Sequence, residues 1–444
     1  MRDINFSKNS LWTLLSDMVI FVSGLVYLVI LARVLGPEGK GIHSLILLIP
    51  GVIMVFGSFG MESANVYFVG TKKYPLRDVV SNSIILSVLL GVLLVLLFWG
   101  ASQTDWFYKF IQDNKIPISY LWAVVFTIPL YFISAFLRNA LRGYGHLGDY
   151  NTIRIIEGLS LFLFGVIFLI ILKRGLWGAI ASSVLSIIFA AISSIFLTKK
   201  LVRIFPLNLN TALLKGSSSY GSKVYLANGL SFLNYRLDMF LITIFLTPVA
   251  VGFYSVAVNM AEKLLIIPGA FATVLLPKIS SSGQNEANHL TSRVLRHTTL
   301  IMLVICLAML FLITFMVRLF FGASFLPSVL PFIILLPGIL AFSIGGVLAA
   351  DLSGRGKPQY AIWSSMTALI ANIVLNIILI PKMGIVGAAL ASSISYWLDT
   401  LVVLGAFMCI SKNRLKEVFI IKKEDFQDYY NLYIDFFNSS SRIR

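Results

Sequence analysis

Charge is what this chain has least of. Only 12% of its 444 residues are Asp, Glu, Lys or Arg, against about 25% in a soluble globular domain, and the mean hydropathy is +0.90. That balance excludes a soluble protein. Cysteine is as scarce: Cys306 and Cys409 both sit inside apolar stretches, which excludes a disulfide framework and a Cys-based metal centre. The four histidines, His43, His146, His289 and His297, are scattered without metal-ligand spacing. No Ser/His/Asp arrangement, pair of catalytic carboxylates or phosphate-cradling glycine loop occurs, so no enzyme chemistry, cofactor or metal is expected. The first apolar run is too long for a signal-peptide core and lacks a cleavage pattern after it, so the first helix itself is expected to target the chain.

What is there is apolar sequence, 58% of the chain. It comes in runs of about 20 residues, the length of a membrane-crossing helix, and not in alternating strands of about ten. The predicted fold class is an all-α integral membrane protein of twelve transmembrane helices. Spans 1 to 6 cover about 10–34, 41–68, 79–101, 118–141, 152–172 and 176–197; spans 7 and 8 fall within 234–277; spans 9 to 12 cover about 298–321, 326–350, 361–380 and 385–410. Residues 1–198 form an expected N-lobe, 199–217 a basic cytoplasmic linker, 218–410 a C-lobe and 411–444 a cytoplasmic tail. In that tail Phe426, Tyr429, Tyr430, Tyr433 and Phe437 recur at helical spacing, which suits an amphipathic helix on the inner interface.

The formal net charge of +16 would suggest nucleic acid as a partner of a soluble protein. Here the positive-inside rule explains it, and no nucleic acid is expected. With both termini cytoplasmic, most Lys and Arg fall in cytoplasmic loops such as Lys72, Lys73 and Arg77, and eight fall outside: Arg33, Lys40, Lys109, Lys115, Lys173, Arg174, Arg318 and Lys382. The aromatic cluster Trp99, Trp106, Phe107 and Tyr108 marks an outer interface.

The two halves repeat. Pro37, Gly41 and Ser44 recur 211 residues later as Pro248, Gly252 and Ser255; Leu141, Gly143 and Gly145 recur as Leu352, Gly354 and Gly356. Gly175, Gly178 and Ala179 recur 209 residues later as Gly384, Gly387 and Ala388. Six spans separate equivalent points, so the repeats are parallel, the layout of alternating-access transporters with a site between lobes.

Spans 7 and 8 carry Arg236, Asp238, Glu262 and Lys263, which are expected close to the bilayer midplane, where charges are costly and usually functional. Their repeat equivalents Leu25, Tyr27, Gly51 and Val52 are uncharged, so the fold does not require charge there. Two readings stay open: Asp238 and Lys263 pair between helices, or the group contacts a substrate. Arg236 and Asp238, at i and i+2, cannot face one partner. Asp17 and Glu62, with uncharged equivalents Asn228 and Thr273, are candidates for coupling a proton or sodium ion or for a polar contact in a wet vestibule. Arg154 and Glu157, at i and i+3, are expected to pair locally, and Asp351 and Asp399 are weaker candidates.

Several segments together carry a resemblance: Asn9-Ser10 with LARVLGPEGKGIHS, then LRGYGHLGDYNTIRIIEG, YRLDMFLITIFLTPVAVGFYSVAVNMAEKLLIIPGAFATVLLPKIS and GIVGAALASSISY. Across spans 1 to 12 the chain resembles the polysaccharide-biosynthesis membrane proteins, the O-antigen and oligosaccharide flippases of the multidrug/oligosaccharidyl-lipid/polysaccharide exporter superfamily. The resemblance implies a V-shaped pair of six-helix lobes in the bacterial inner membrane, with spans 1, 2, 7 and 8 lining a cavity. It implies transfer of an undecaprenyl-diphosphate-linked glycan from the cytoplasmic to the periplasmic leaflet among membrane lipids, with a polysaccharide polymerase and chain-length machinery as further partners. The two extra helices typical of peptidoglycan-precursor flippases are absent, so lipid II is not the expected substrate. Two alternatives stand beside it: a cation-coupled multidrug antiporter, which favours carboxylates in its cavity, and a membrane polysaccharide polymerase or ligase, which needs a larger outer loop than 102–117.

Overall fold

The computed structural model describes residues 6–412 and 415–420. Among them all regular structure is helical. The expected tail helix with Phe426, Tyr429, Tyr430, Tyr433 and Phe437 lies outside the described residues. In chain order the helices are α1 (Phe6–Gly57), α2 (Met61–Gly70), α3 (Leu76–Ser102), α4 (Asp105–Asp113), α5 (Ile118–Val125), α6 (Ile128–Gly143), α7 (Leu147–Gly165), α8 (Gly175–Lys199) and α9 (Thr211–Phe245). They continue with α10 (Pro248–Leu264), α11 (Ile266–Ser281), α12 (Gln284–Met316), α13 (Val329–Gly354), α14 (Gln359–Met383) and α15 (Ile385–Ser411).

Ten helices among the described residues are long and apolar enough to cross a membrane, against twelve expected spans. Expected spans 1 and 2 are merged in α1. Inside it Gly36, at φ 65° and ψ −177°, interrupts the helix, and Pro37 restarts it with φ already fixed and no N–H to satisfy. Expected span 7 lies in α9, where Lys215, Lys223, Arg236 and Asp238 dilute the apolar run.

Packing groups the chain into two compact units, Met1–Ser255 with Arg318–Leu326, and Val256–Val317 with Pro327–Arg444. In the first, α3 packs on α6, α7 on α8, α1 on α7, and α2 on both α6 and α9. Side-chain hydrogen bonds tie its apolar faces together: Asn65 Nδ2 donates to Ser83 Oγ at 2.8 Å and to the Phe136 carbonyl at 3.1 Å. Every such bond replaces an unsatisfied polar group that lipid could not solvate. Thr104 caps α4 by accepting from the Phe107 N–H at 3.3 Å, and α4 presents Trp106 and Tyr108 outward.

In the second unit α13 and α14 both pack on α15, and α11 and α12 both pack on α13. Asp351 is fully buried there, and Arg355 holds it through two bonds of 2.7 and 3.0 Å while Thr291 donates at 2.6 Å. A carboxylate so fully paired is a fastener between helices.

Candidate functional site

The midplane charges expected on spans 7 and 8 occupy α9 and the end of α10. Arg236 is half-buried in α9. Asp238, two residues on, is buried, and its carboxylate accepts from the Tyr254 hydroxyl at 2.5 Å and from the Met239 N–H at 2.7 Å. A charge-assisted hydrogen bond from a phenol on α10 thus fixes the Asp238 side chain against the neighbouring helix. Arg236 and Asp238 belong to the first unit, Glu262 and Lys263 to the second.

Glu262 and Lys263 lie in the last turn of α10, at a helix break the apolar pattern does not announce. The helix stops at Leu264 and restarts at Ile266. Pro268 explains this: it cannot bond to the Leu264 carbonyl and its ring collides with it. Lys263 therefore stands where freed carbonyls and the helix dipole favour a cation. Broken helices whose termini face polar ligands are the recurrent device of transporter sites near the midplane.

The coupling candidates Asp17 and Glu62 lie in the first unit within a wider network. Asp17 forms an ion pair with Arg154 at 2.8 Å. Glu62 accepts from Asn139 Nδ2 at 3.1 Å, while Arg138, the residue before Asn139, pairs with Glu157 at 2.6 Å. The expected local pair of Arg154 and Glu157 is thereby corrected: each reaches across to a different helix. Packing of α1 on α7 brings Asp17 to Arg154, and packing of α6 on α7 brings Arg138 to Glu157. By formal charge these three carboxylates and two guanidinium groups sum to one negative charge.

Sequence alone leaves His43 among scattered histidines and puts Lys40 in an outer loop, which the structure corrects to helix. Lys40 and His43 are buried, at 4% and 3% exposure. Pro37 starts the second half of α1 so early that the Gly-Lys-Gly segment becomes helix and not loop. The signal in the sequence is Ser44, four residues after Lys40 and hence on its face; Lys40 Nζ donates to Ser44 Oγ at 2.8 Å.

The polysaccharide biosynthesis protein family model matches residues 6–283. The chain belongs to that family. Residues 176–424 also match the lipid II flippase MurJ model. A putative O-antigen transporter of Shigella flexneri is 21% identical over 89% of this chain and 96% of that protein. A probable low-salt glycan biosynthesis flippase of Haloferax volcanii is 29% identical over 37% of this chain and 36% of its own length. The fold is shared with a solved lipid II flippase MurJ in an inward closed conformation, at TM-score 0.76 and 19% identity over 95% of this chain and 93% of that one. It is shared too with an inward-facing multidrug resistance MATE family transporter, at TM-score 0.73 and 16% identity over 88% and 95%. The chain is thus a multi-pass membrane transporter of a flippase family in polysaccharide biosynthesis, not a catalyst.

Proposed function

We propose that this protein moves an undecaprenyl-diphosphate-linked oligosaccharide from the cytoplasmic to the outer leaflet of the bacterial inner membrane. It does so by alternating access between two six-span lobes, residues 1–198 and 218–410, with both termini cytoplasmic and residues 199–217 as the basic linker. The product passes to polymerase and chain-length machinery. The observation that carries this reading is the placement of Arg236 on α9 and Lys263 at the break of α10, cations kept in apolar helices of a polysaccharide-biosynthesis chain. A diphosphate crossing the bilayer exchanges hydration for charge-assisted hydrogen bonds, which Arg236 and Lys263 supply. Asp238 and Glu262, on the same two helices, are the polar side chains assigned with them to substrate contact.

Asp17 and Glu62 carry the coupling cation, a proton or sodium ion, in the acidic network of the first unit. The same network is what a cation-coupled multidrug antiporter would use, and it favours that as the second reading. The deciding experiment reconstitutes the protein in vesicles with a radiolabelled polyprenyl-diphosphate oligosaccharide and follows the glycan's exposure to an added glycosidase. Protein-dependent exposure supports the flippase. No exposure, together with cation-gradient-driven efflux of cationic dyes, would replace it with the antiporter.

A further inference from the structure

The two buried basic residues of α1 are left in a condition that calls for a ligand. Lys40 has three N–H donors, yet among the described residues Ser44 is its hydrogen-bond partner and no carboxylate pairs with it. Both ring nitrogens of His43 are buried with no hydrogen-bond partner. Lys40 and His43, at i and i+3, share a helix face. Two basic groups on one helix face are therefore almost wholly withdrawn from water. An ammonium in such a place is destabilising unless an anion meets it.

The internal repeat shows that the fold does not demand this. The residue 211 positions after Lys40 is Val251, fully buried, and the one after His43 is Tyr254, whose polar tip is satisfied by Asp238. An apolar side chain and a bonded phenol thus fill the corresponding places of the second half. Lys40 and His43 are departures from a pattern that packs well without them.

We propose that Lys40 and His43 form an anion station that takes the diphosphate group of the transported lipid, an assignment that rests on the flippase reading. A diphosphate supplies the charge and acceptors that Lys40 and His43 lack: oxygens for the remaining Lys40 donors and for the His43 ring N–H. The station lies beside Gly41, at the end of the bundle that loop charges assign to the outside. It would hold the head group at the last step before release.

The test is calorimetric titration of the full-length protein in lipid nanodiscs with farnesyl diphosphate, inorganic pyrophosphate and farnesol. Farnesyl diphosphate should bind, and farnesol should not. Lys40→Val and His43→Phe should each weaken diphosphate binding tenfold or more, while their melting temperatures stay level or rise because an unpaired polar group is gone. Lys115→Met, which removes a surface cation of the same sign, should bind like the unmodified protein. Pyrophosphate binding tenfold weaker than farnesyl diphosphate identifies a lipid-borne anion; equal binding identifies a free one, with the station intact in both cases. Unchanged affinity in Lys40→Val and His43→Phe overturns the station, as does a loss shared equally by Lys115→Met. Should Lys40→Val not fold, Lys40→Gln carries the same comparison. Binding is read without transport, so a chain that binds diphosphate through Lys40 but flips no glycan would retain the station and lose the flippase reading.

Discussion

Gly41 and Gly252 meet face to face, each pressed on the carbonyl of the proline that opens the other's helix. A Cβ on Gly41 would lie 1.7 Å from the Pro248 oxygen, and one on Gly252 would lie 1.9 Å from the Pro37 oxygen. These are repeat-equivalent residues, so the contact is isologous: the same patch meets its own counterpart. Neither position tolerates alanine without parting the backbones, a strain beyond the about 1–3 kcal/mol of ordinary overpacking. Gly41→Ala and Gly252→Ala should each cut glycan export at least tenfold. Gly24→Ala, where a Cβ meets nothing within 4 Å, should leave it unchanged; equal export from Gly41→Ala would show that the crossing is not needed in the transport cycle.

The ion pair of Arg138 and Glu157 should behave as a mutual dependence. Their side chains are 17% and 32% exposed, so removal of one partner leaves a charge with little water to turn to. With that partial exposure discounted, Arg138→Met should cost about 1–3 kcal/mol. Arg138→Met with Glu157→Gln should recover most of it. Thermal melting of the purified variants checks this, and additive losses would mean that the two residues are not coupled.

How much of this is legible in sequence depends on whether the cause is local. Hydropathy marks spans because bilayer thickness fixes the length of each apolar run, and Gly36-Pro37 reads as a break because backbone chemistry is local. Partners on different helices are another matter. The i,i+3 spacing of Arg154 and Glu157 is a sound argument for a local pair, yet Asp17 and Arg138 win because packing brings them to 2.8 and 2.6 Å. Lys40 reads as a loop residue because Gly39 and Gly41 flank it, and the helix start at Pro37 buries it instead. The break after Leu264 has a visible cause in Pro268, but its meaning needs the charges beside it.

Topology should follow the loop charges. A reporter active only in the periplasm should be active when fused after Thr104 or Thr247 and silent after Thr71 or Leu207. Activity at Leu207 would place the basic connection outside and remove the support for two parallel six-span lobes.

Coupling should reside in the acidic network. Asp17→Asn combined with Glu62→Gln removes two carboxylates from a cluster that then holds Glu157 against Arg138 and Arg154, so its net charge changes sign. The double variant should insert normally, and glycan movement in vesicles should lose its response to an imposed proton or sodium gradient. A gradient response equal to that of the unmodified protein would move the coupling ion elsewhere.

The midplane cations give the sharpest outcome. If Arg236 grips a diphosphate, both its charge and its planar fork count, so Arg236→Lys should impair export less than Arg236→Ala without being silent. A structural pair of Asp238 and Lys263 makes the opposite demand on the double variant Asp238→Asn with Lys263→Met. With both charges gone, no charge is left unbalanced between those two, and function should return. In Asp238→Asn the amide oxygen would still accept from the Met239 N–H and the amide nitrogen could donate to the Tyr254 oxygen, so the local fold around α9 is preserved. The expected result is a protein that folds, inserts and fails to export glycan, because the cation at the break of α10 is missing from the path of the diphosphate. Export at the unmodified level would return Asp238 and Lys263 to a purely structural role and leave Arg236 to recognise the substrate without them.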